Sequence, residues 1–233
     1  MKLMSKCSAL GAVLVLSSAF VSAETITLGS YGNATVGTPS NTAVKYTGYN
    51  ASMASGVTTN NAPAGTFNIS SGDPSVWAPA GANSSWVSFD AQTGPTGTHV
   101  VSNGTYTYTT TFTTHGPNYA GTLSVLADDT TDIYLNGVQV IPSGIIGGDA
   151  HCSDNVPTCM TVETIQFNSQ LAGFNNNGVN VLTFNVKQTG QTYEGLDFYG
   201  SITSTPEPST LMLLGTGLLG SAGALFRRMK SVA

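Results

Sequence analysis

The chain has 233 residues, of which 8% are charged, and its formal net charge is −5 at pH 7. Between residues 24 and 205 the charge is more extreme, because eleven acidic residues and two lysines give −9. Such a surface repels polyanions, which excludes nucleic acid as a partner, whereas divalent cations and neutral polymers are compatible with it.

Residues 1–23 have the pattern of a secretory signal peptide. Two lysines lie in MKLMSK, and residues 9–21 are apolar or small. Val21-Ser22-Ala23 then provides an A-x-A-like cleavage site, so we expect cleavage between Ala23 and Glu24. The signal predicts that the chain crosses the inner membrane and that the following segment folds outside the cytoplasm.

The segment 24–205 shows almost no helical periodicity and many strand signals. In its first half the candidate strands are separated by long stretches of Gly, Pro and Asn; they are residues 25–30, 44–49, 65–70 and 85–90. In its second half they follow one another closely, at residues 105–114, 120–127, 132–141, 161–167, 179–186 and 195–203. Frequent strands with turn residues between them predict an all-β domain, a single β-sandwich over residues 24–205.

Two local patterns support this interpretation. In TYTYTTTFTT (105–114) the rings of Tyr106, Tyr108 and Phe112 fall on one face at a period of two. Asn136-Gly137 separates IYL from VQV and predicts a type I′ hairpin, because that turn needs two residues that tolerate positive φ. We expect Trp77 and Trp86 to pack in the domain, with stacking on sugars as the alternative.

Asp128, Asp129 and Asp132 place three carboxylates within five residues at a strand end. Calcium prefers six to eight oxygen ligands, and clustered aspartates with backbone carbonyls can supply them. These three residues are therefore the candidate calcium ligands, and calcium is the only candidate cofactor. The alternative is a solvated turn in which aspartates make Asx-turn hydrogen bonds.

The segment HCSDNVPTC contains Cys152 and Cys159, the two cysteines beyond the signal peptide. Export places them in an oxidising compartment, where a disulfide between them is expected. A metal site that adds His151 and Asp154 is the alternative. Its cysteine spacing is wider than the two to four residues that are usual for metal ligands.

No recognisable catalytic motif occurs in the chain. The G-x-S-x-G elbow, H-E-x-x-H and the P-loop are absent, and the three histidines, His99, His115 and His151, lie in segments that suggest loops. Nothing in the sequence places two carboxylates across a sugar bond. We therefore predict a protein that is not an enzyme.

The tail 206–233 combines an apolar run with a basic cluster. Residues 208–226 carry no charge, and Arg227, Arg228 and Lys230 follow directly. A helix over about residues 209–226 would be close to the thickness of a hydrocarbon core, about 30 Å. The basic residues would stay on the cytoplasmic side. The alternative is a buried helix of a soluble core, which the glycines and the missing polar face disfavour.

Pro206-Glu207-Pro208, the Leu/Gly-rich span and the basic cluster at Arg227 and Arg228 together resemble the PEP-CTERM sorting signal of Gram-negative bacteria. The same tail is also known as the ice-binding-protein C-terminal domain. The resemblance implies an exported protein that an exosortase-type membrane protease processes near the Pro-Glu-Pro triplet. It also implies that the protein belongs to bacteria that make extracellular polysaccharide.

The second half of the domain resembles two families of β-sandwich. The order GTLSVLADDTTDIYLNGVQV, GVNVLTFNVKQTG and GLDFYGSIT is similar to the galactose-binding-like jelly roll. The Ala127-Asp128-Asp129 step resembles flocculin-type lectin sandwiches, in which adjacent aspartates ligate a calcium ion that in turn holds a sugar. These resemblances imply a jelly-roll-like fold and a calcium-dependent carbohydrate ligand.

The sequence as a whole predicts an exported surface or extracellular-matrix protein. We expect it to be carbohydrate-binding or structural and adhesive, with extracellular polysaccharide as a partner and an anchor in the membrane before processing. The alternatives are a structural surface protein without a specific ligand, a secreted glycan-active hydrolase, and an ice-binding protein suggested by the threonines of residues 105–114.

Overall fold

The computed structural model describes residues 23–30, 37–39, 44–51, 64–72, 76–143 and 160–205, and in the tail residues 215, 217, 219, 220, 222 and 223. The strands all lie in one compact unit, Thr25–Ser204. The described tail positions have helical backbone. Within the described part of the chain, no helix has both the length and the apolar character needed to cross a membrane.

The domain consists of two antiparallel sheets, as expected for an all-β sandwich. Its strands are β1 (Thr25–Gly29), β2 (Lys45–Asn50), β3 (Ala64–Gly65), β4 (Phe67–Asn68), β5 (Val87–Ser88), β6 (Gly104–His115), β7 (Tyr119–Asp128), β8 (Thr130–Leu135), β9 (Val138–Ile141), β10 (Glu163–Asn168), β11 (Asn177–Gln188) and β12 (Gly195–Ser204). Sheet A has the order β10-β7-β12-β5-β4, with β1 also paired to β12. Sheet B has the order β3-β2-β6-β11-β8-β9.

The main core lies between the two sheets and is formed by alternate residues of the long strands. Tyr106, Tyr108 and Phe112 of β6 are all buried, which confirms the predicted apolar face. Phe184 of β11 stacks on Phe198 of β12 across the sandwich, with ring centroids 4.5 Å apart. This contact joins the central strands of the two sheets.

A second, smaller apolar cluster contains Ile69, Trp77, Trp86 and Leu126. Leu126 lies between Val125 and Ala127, which belong to the main core, so its side chain points to the outer face of sheet A. The Trp77 and Trp86 rings stack there with centroids 4.2 Å apart. Both rings are buried, which confirms that they pack in the domain.

The first half of the domain has shorter strands than the sequence predicts. The expected strand at 65–70 is divided into β3 and β4, and the one at 85–90 retains only β5. Directly after β5, a backbone group is bonded to a side chain and not to a neighbouring strand: Phe89 donates its N–H to the Tyr108 hydroxyl at 3.1 Å. This side-chain acceptor takes the place of a strand partner directly after β5.

The Asn136-Gly137 turn joins β8 to β9, and its φ values of 49° and 82° confirm the predicted conformation. Asn136 also fixes the neighbouring strand with its side chain. The Val181 N–H donates to Asn136 Oδ1 at 2.7 Å, and Asn136 Nδ2 donates to Asn180 Oδ1 at 3.0 Å. The turn is therefore held by β11 as well as by its own backbone.

We expect Gly137→Ala to destabilise the domain by about 1–2 kcal/mol, because a Cβ disfavours the left-handed backbone that the turn requires. Gly65→Ala is the matched control. It lies in exposed β3, and a Cβ there would meet nothing within 4 Å. Urea unfolding of both variants tests the difference, and equal free energies of unfolding would contradict the proposed role of the turn.

Candidate functional site

Asp128 and Asp129 lie where the chain passes from sheet A to sheet B. Asp128 is the last residue of β7, Asp129 follows it through a cis peptide bond, and Thr130 begins β8. Both side chains are more than nine-tenths buried. Burial and the neighbouring Asp129 carboxyl hold the pKa of Asp128 well above its usual range. Two of the three predicted calcium ligands are thus adjacent and shielded from water.

Each of the two carboxyls has its own hydrogen-bond donors. The Trp77 indole donates from Nε1 to Asp128 Oδ2 at 2.7 Å. Thr189 donates to Asp129 Oδ2 from its backbone N–H at 2.5 Å and from Oγ1 at 2.7 Å. The backbone N–H of Asp129 donates to the Lys187 carbonyl at 2.8 Å. The bonds from Trp77 and Thr189 hold the two carboxyls in place.

Glu194 is a third buried carboxyl at this end of the domain. The Tyr108 hydroxyl donates to Glu194 Oε1 at 2.8 Å, and the Ser88 hydroxyl donates to Oε2 in a short bond. Burial raises the pKa of Glu194 to about 7. The charge of Glu194 also contributes to the raised pKa of Asp128. Glu194 therefore adds negative potential at the Asp128–Asp129 pair.

Asp197 is a buried carboxyl with a structural role on the outer face of sheet A. Ser30 donates its hydroxyl to Asp197 Oδ1 at 2.9 Å, and the Gly81 N–H donates to Oδ2 at 2.9 Å. Burial raises the pKa of Asp197. The residue ties β12 to the end of β1 and to the segment that carries the two tryptophans.

Asp132, the third predicted calcium ligand, lies apart from the pair. It is on β8, opposite Asn185 of β11, and is fully buried. Among the described residues, no three His, Cys, Asp or Glu side chains come close enough together to hold a metal ion. The three aspartates are neighbours in sequence, but the structure brings only Asp128 and Asp129 together.

The chemistry of the pair fits a hard cation in part. Its donors are carboxylate oxygens, and two carboxylates supply at most four of the six to eight oxygens that calcium prefers. Backbone carbonyls, water or hydroxyl groups of a ligand would have to supply the rest. Without a cation, two adjacent buried carboxyls share a proton, because like charges disfavour double ionisation.

Several predicted site residues lie outside the described residues. They are Cys152, Cys159, Pro206, Glu207, Pro208, Arg227 and Arg228. Ala23 is exposed and Glu24 is half-buried, and cleavage between them stays a prediction. His99 Nδ1 lies 2.8 Å from Asp90 Oδ2, and His115 is the last residue of β6 rather than part of a loop.

Three residues of the site were not predicted as site residues. The sequence predicts that Trp77 packs in the domain, with stacking on sugars as the alternative, and neither Thr189 nor Glu194 has a local signal. Thr189 and Glu194 follow strand β11, in a segment whose composition is that of an ordinary turn. Only the paired sheets bring them to the end of β7.

Comparison with known proteins gives a family-model match in the tail and a match of low similarity to a solved structure. No curated protein matches the chain. The solved catalytic unit of a thermostable GH87 α-1,3-glucanase from Streptomyces thermodiastaticus strain HF3-3 is similar at 16% identity and a TM-score of 0.21. This match covers 46% of the present chain and 22% of the glucanase chain. A similarity this low carries no argument about fold or activity.

The tail matches a family model directly. Residues 204–228 match the PEP-CTERM protein-sorting motif, and the match includes the Pro206-Glu207-Pro208 triplet and Arg227-Arg228. This motif is the part of an exported protein that exosortase recognises. The chain therefore carries the PEP-CTERM protein-sorting motif at residues 204–228, as the sequence of the tail indicates.

Proposed function

We propose that this exported protein binds carbohydrate at the cell surface or in the extracellular matrix, without catalysis, and that a calcium ion at Asp128 and Asp129 supports the binding. The observation that carries this proposal is the buried carboxyl pair at the end of β7, positioned by Trp77 and Thr189. A neutral polymer and a divalent cation also suit a domain with a net charge of −9.

The arrangement of the pair supports a cation that is shared with an external ligand. A calcium ion held by two carboxylates keeps coordination positions that sugar hydroxyl groups can fill. Glu194 adds negative potential and so favours a cation at the same place. Extracellular polysaccharide is the partner class that we propose for the domain, and exosortase is the partner of the tail.

The burial of Glu194 supports a binding protein rather than a hydrolase. Burial raises the pKa of Glu194 to about 7, which is in the range that general acid catalysis favours. It is fully buried and accepts hydrogen bonds from Ser88 and Tyr108 in the domain interior. A catalytic acid must reach the glycosidic oxygen, and Glu194 has no exposed surface, whereas Asp128 keeps 7% of its surface exposed.

For localisation, we propose that the tail first holds the protein in the membrane and that processing near Pro206 then releases it to the surface or matrix. The match of residues 204–228 to the sorting motif supports this order. Cell fractionation with and without an active exosortase tests it, since release should depend on the protease.

We expect calcium to raise the melting temperature of the purified chain by about 5–10 °C at a hundredfold excess over Kd, because a ligand held by the native state stabilises it. Asp128→Asn and Asp129→Asn should reduce this shift and abolish binding on a glycan array. Thermal unfolding in EDTA and in calcium, followed by the array, measures both effects.

Asp90→Asn is the matched control, because the side-chain oxygen that accepts from a backbone N–H survives the change. Asp90 Oδ1 accepts from the Gln92 N–H at 2.9 Å, and asparagine retains that oxygen. The control should keep both the calcium shift and the glycan signal. Glycan binding that is unchanged in Asp128→Asn and Asp129→Asn would contradict the proposed site, and glycan turnover would favour the hydrolase.

A further inference from the structure

A buried carboxylate with little compensation from the protein lies on the outer face of sheet B. Asp132 is fully buried, and neither of its carboxylate oxygens has a donor in good hydrogen-bond geometry; the Tyr134 hydroxyl is the protein group that interacts with it. Ile133 and Leu135 point into the main core, so strand alternation places Asp132 on the opposite face. Burial of an unpaired carboxylate is costly, and buried charges are ordinarily paired or coordinate metals. A cation bound beside Asp132 would offset this cost.

The groups around Asp132 are rich in oxygen atoms. Asn185 lies directly opposite on β11, while Thr130 and Tyr134 are two residues away on the same face of β8. The Thr107 hydroxyl donates to Asn185 Oδ1 at 3.0 Å. Burial, followed by the charge of Asp132, raises the pKa of Tyr134, which places the phenol beside the carboxylate. Carboxylate, amide and hydroxyl oxygens are the donors that hard cations prefer.

Lys187 is the nearest protein cation by register, and its ammonium group is bonded to a hydroxyl group. It lies opposite Thr130 on the same face, and its Nζ donates to Ser143 Oγ at 2.7 Å. Among the described residues, Lys187 is also the only buried cationic side chain, against five buried acidic ones. This imbalance of buried charge favours the uptake of a cation from solution.

We propose that Asp132 anchors a cation site of its own on the outer face of sheet B, separate from the Asp128–Asp129 pair. A hard cation such as Ca²⁺ binds through both oxygens of Asp132, with Asn185, Thr130 and Tyr134 supplying further oxygens. The full burial of Asp132 selects a bare ion over a sugar or an organic cation. This site does not depend on the proposed carbohydrate function.

The test is a count of bound ions on the purified full chain, stripped of metal and titrated with Ca²⁺ in a calorimeter. Asp132→Asn should lose one bound equivalent, and the double variant Asp128→Asn/Asp129→Asn should lose a different one. Terbium luminescence identifies the sites independently, since Trp77 is bonded to Asp128 and Tyr134 lies beside Asp132. Tyr134→Phe should weaken the emission excited through tyrosine and reduce the affinity of the Asp132 site, because it removes one of the proposed ligand oxygens.

Thermal unfolding tests the Asp132 site even where Ca²⁺ binds too weakly to be counted by calorimetry. Without metal, Asp132→Asn should melt no lower than the wild type, because the variant buries no unpaired charge. With calcium, the wild type should gain more in melting temperature than the variant does. The Lys187→Met variant should bind the cation more tightly, because it lacks the ammonium group that repels a cation on this face.

Two results would overturn the site. One is an Asp132→Asn variant that retains every bound equivalent, which would mean that an ordered water alone occupies the position. The other is strong coupling between Asp132→Asn and Lys187→Met with no dependence on calcium, which would make Lys187 the counter-ion. Failure of the Asp128 and Asp129 variants to affect glycan binding would overturn only the proposed function.

Discussion

The domain should be about 3 kcal/mol more stable near pH 4.5 than above pH 7 on account of Glu194 alone. Burial raises the pKa of this carboxyl from 4.5 to about 7 in the folded protein. Each unit of difference between the folded and unfolded pKa changes the free energy of unfolding by about 1.4 kcal/mol. This pKa difference thus corresponds to a large part of the stability of an ordinary domain.

The direction of the effect follows from which state binds the proton. Between pH 4.5 and 7 the folded state keeps the proton on Glu194, and the unfolded state has already lost it. Stability therefore falls as the pH rises through this range, and the loss is complete once the folded carboxyl ionises. The pKa values of Asp128 and Asp197 are also raised, mainly by burial, so both residues act in the same direction.

Urea unfolding of metal-free protein at several pH values measures this effect, with Glu194→Gln as the main variant. The variant should match the wild type near pH 4.5 and exceed it by about 3 kcal/mol above pH 7. Ser88→Ala is a second variant, since the Ser88 hydroxyl lowers the pKa of Glu194. It should extend the fall in stability to higher pH. A wild-type curve that is flat from pH 4.5 to 7.5 would show that Glu194 ionises normally.

The sequence predicts the second half of the fold better than the first, for a physical reason. Strands β6, β7, β11 and β12 are ten or twelve residues long, and their apolar and polar residues alternate over most of that length. Strands β3, β4 and β5 have two residues each. Such short pairings are decided by contacts distant in sequence, which no local pattern encodes.

The candidate site shows the same limit at single residues. Proximity in sequence suggested one group of three aspartates, but β8 begins directly after Asp129 and carries Asp132 to the outer face of the other sheet. In contrast, Thr189 is sixty residues from Asp129 and bonds directly to it. Strand pairing determines which polar groups meet, and pairing is a property of the whole sheet.

The tryptophan pair illustrates a prediction that was correct but incomplete. Packing of Trp77 and Trp86 followed from their size and from the amphipathic character of the indole ring. The sequence did not indicate that they form a separate cluster outside sheet A, nor that one of them bonds to Asp128. That bond links the packing of the domain to the candidate site.

Replacement of Trp77 by alanine should cost about 3–5 kcal/mol of stability, the range for removing a large aromatic side chain from a packed interior. The ring is fully buried and stacks on Trp86, and its edge contacts Tyr193 at a centroid distance of 6.5 Å. The same change removes the donor to Asp128, whose pKa the Trp77 hydrogen bond lowers. Urea unfolding in EDTA measures the total loss.

Trp77→Phe and Trp86→Phe separate the hydrogen bond from the packing. Both variants keep an aromatic ring and lose an indole N–H. The N–H of Trp77 donates to the buried Asp128 carboxyl, whereas the N–H of Trp86 donates to the Ala78 carbonyl. Hydrogen bonds to charged groups contribute about 1.5–3 kcal/mol, against about 1 kcal/mol for neutral pairs. Trp77→Phe should therefore be the more costly change, and by a larger margin at pH values where Asp128 is ionised. Equal costs at every pH would mean that the Asp128 carboxyl stays neutral, which would also remove the anionic partner that a calcium ion needs at this position.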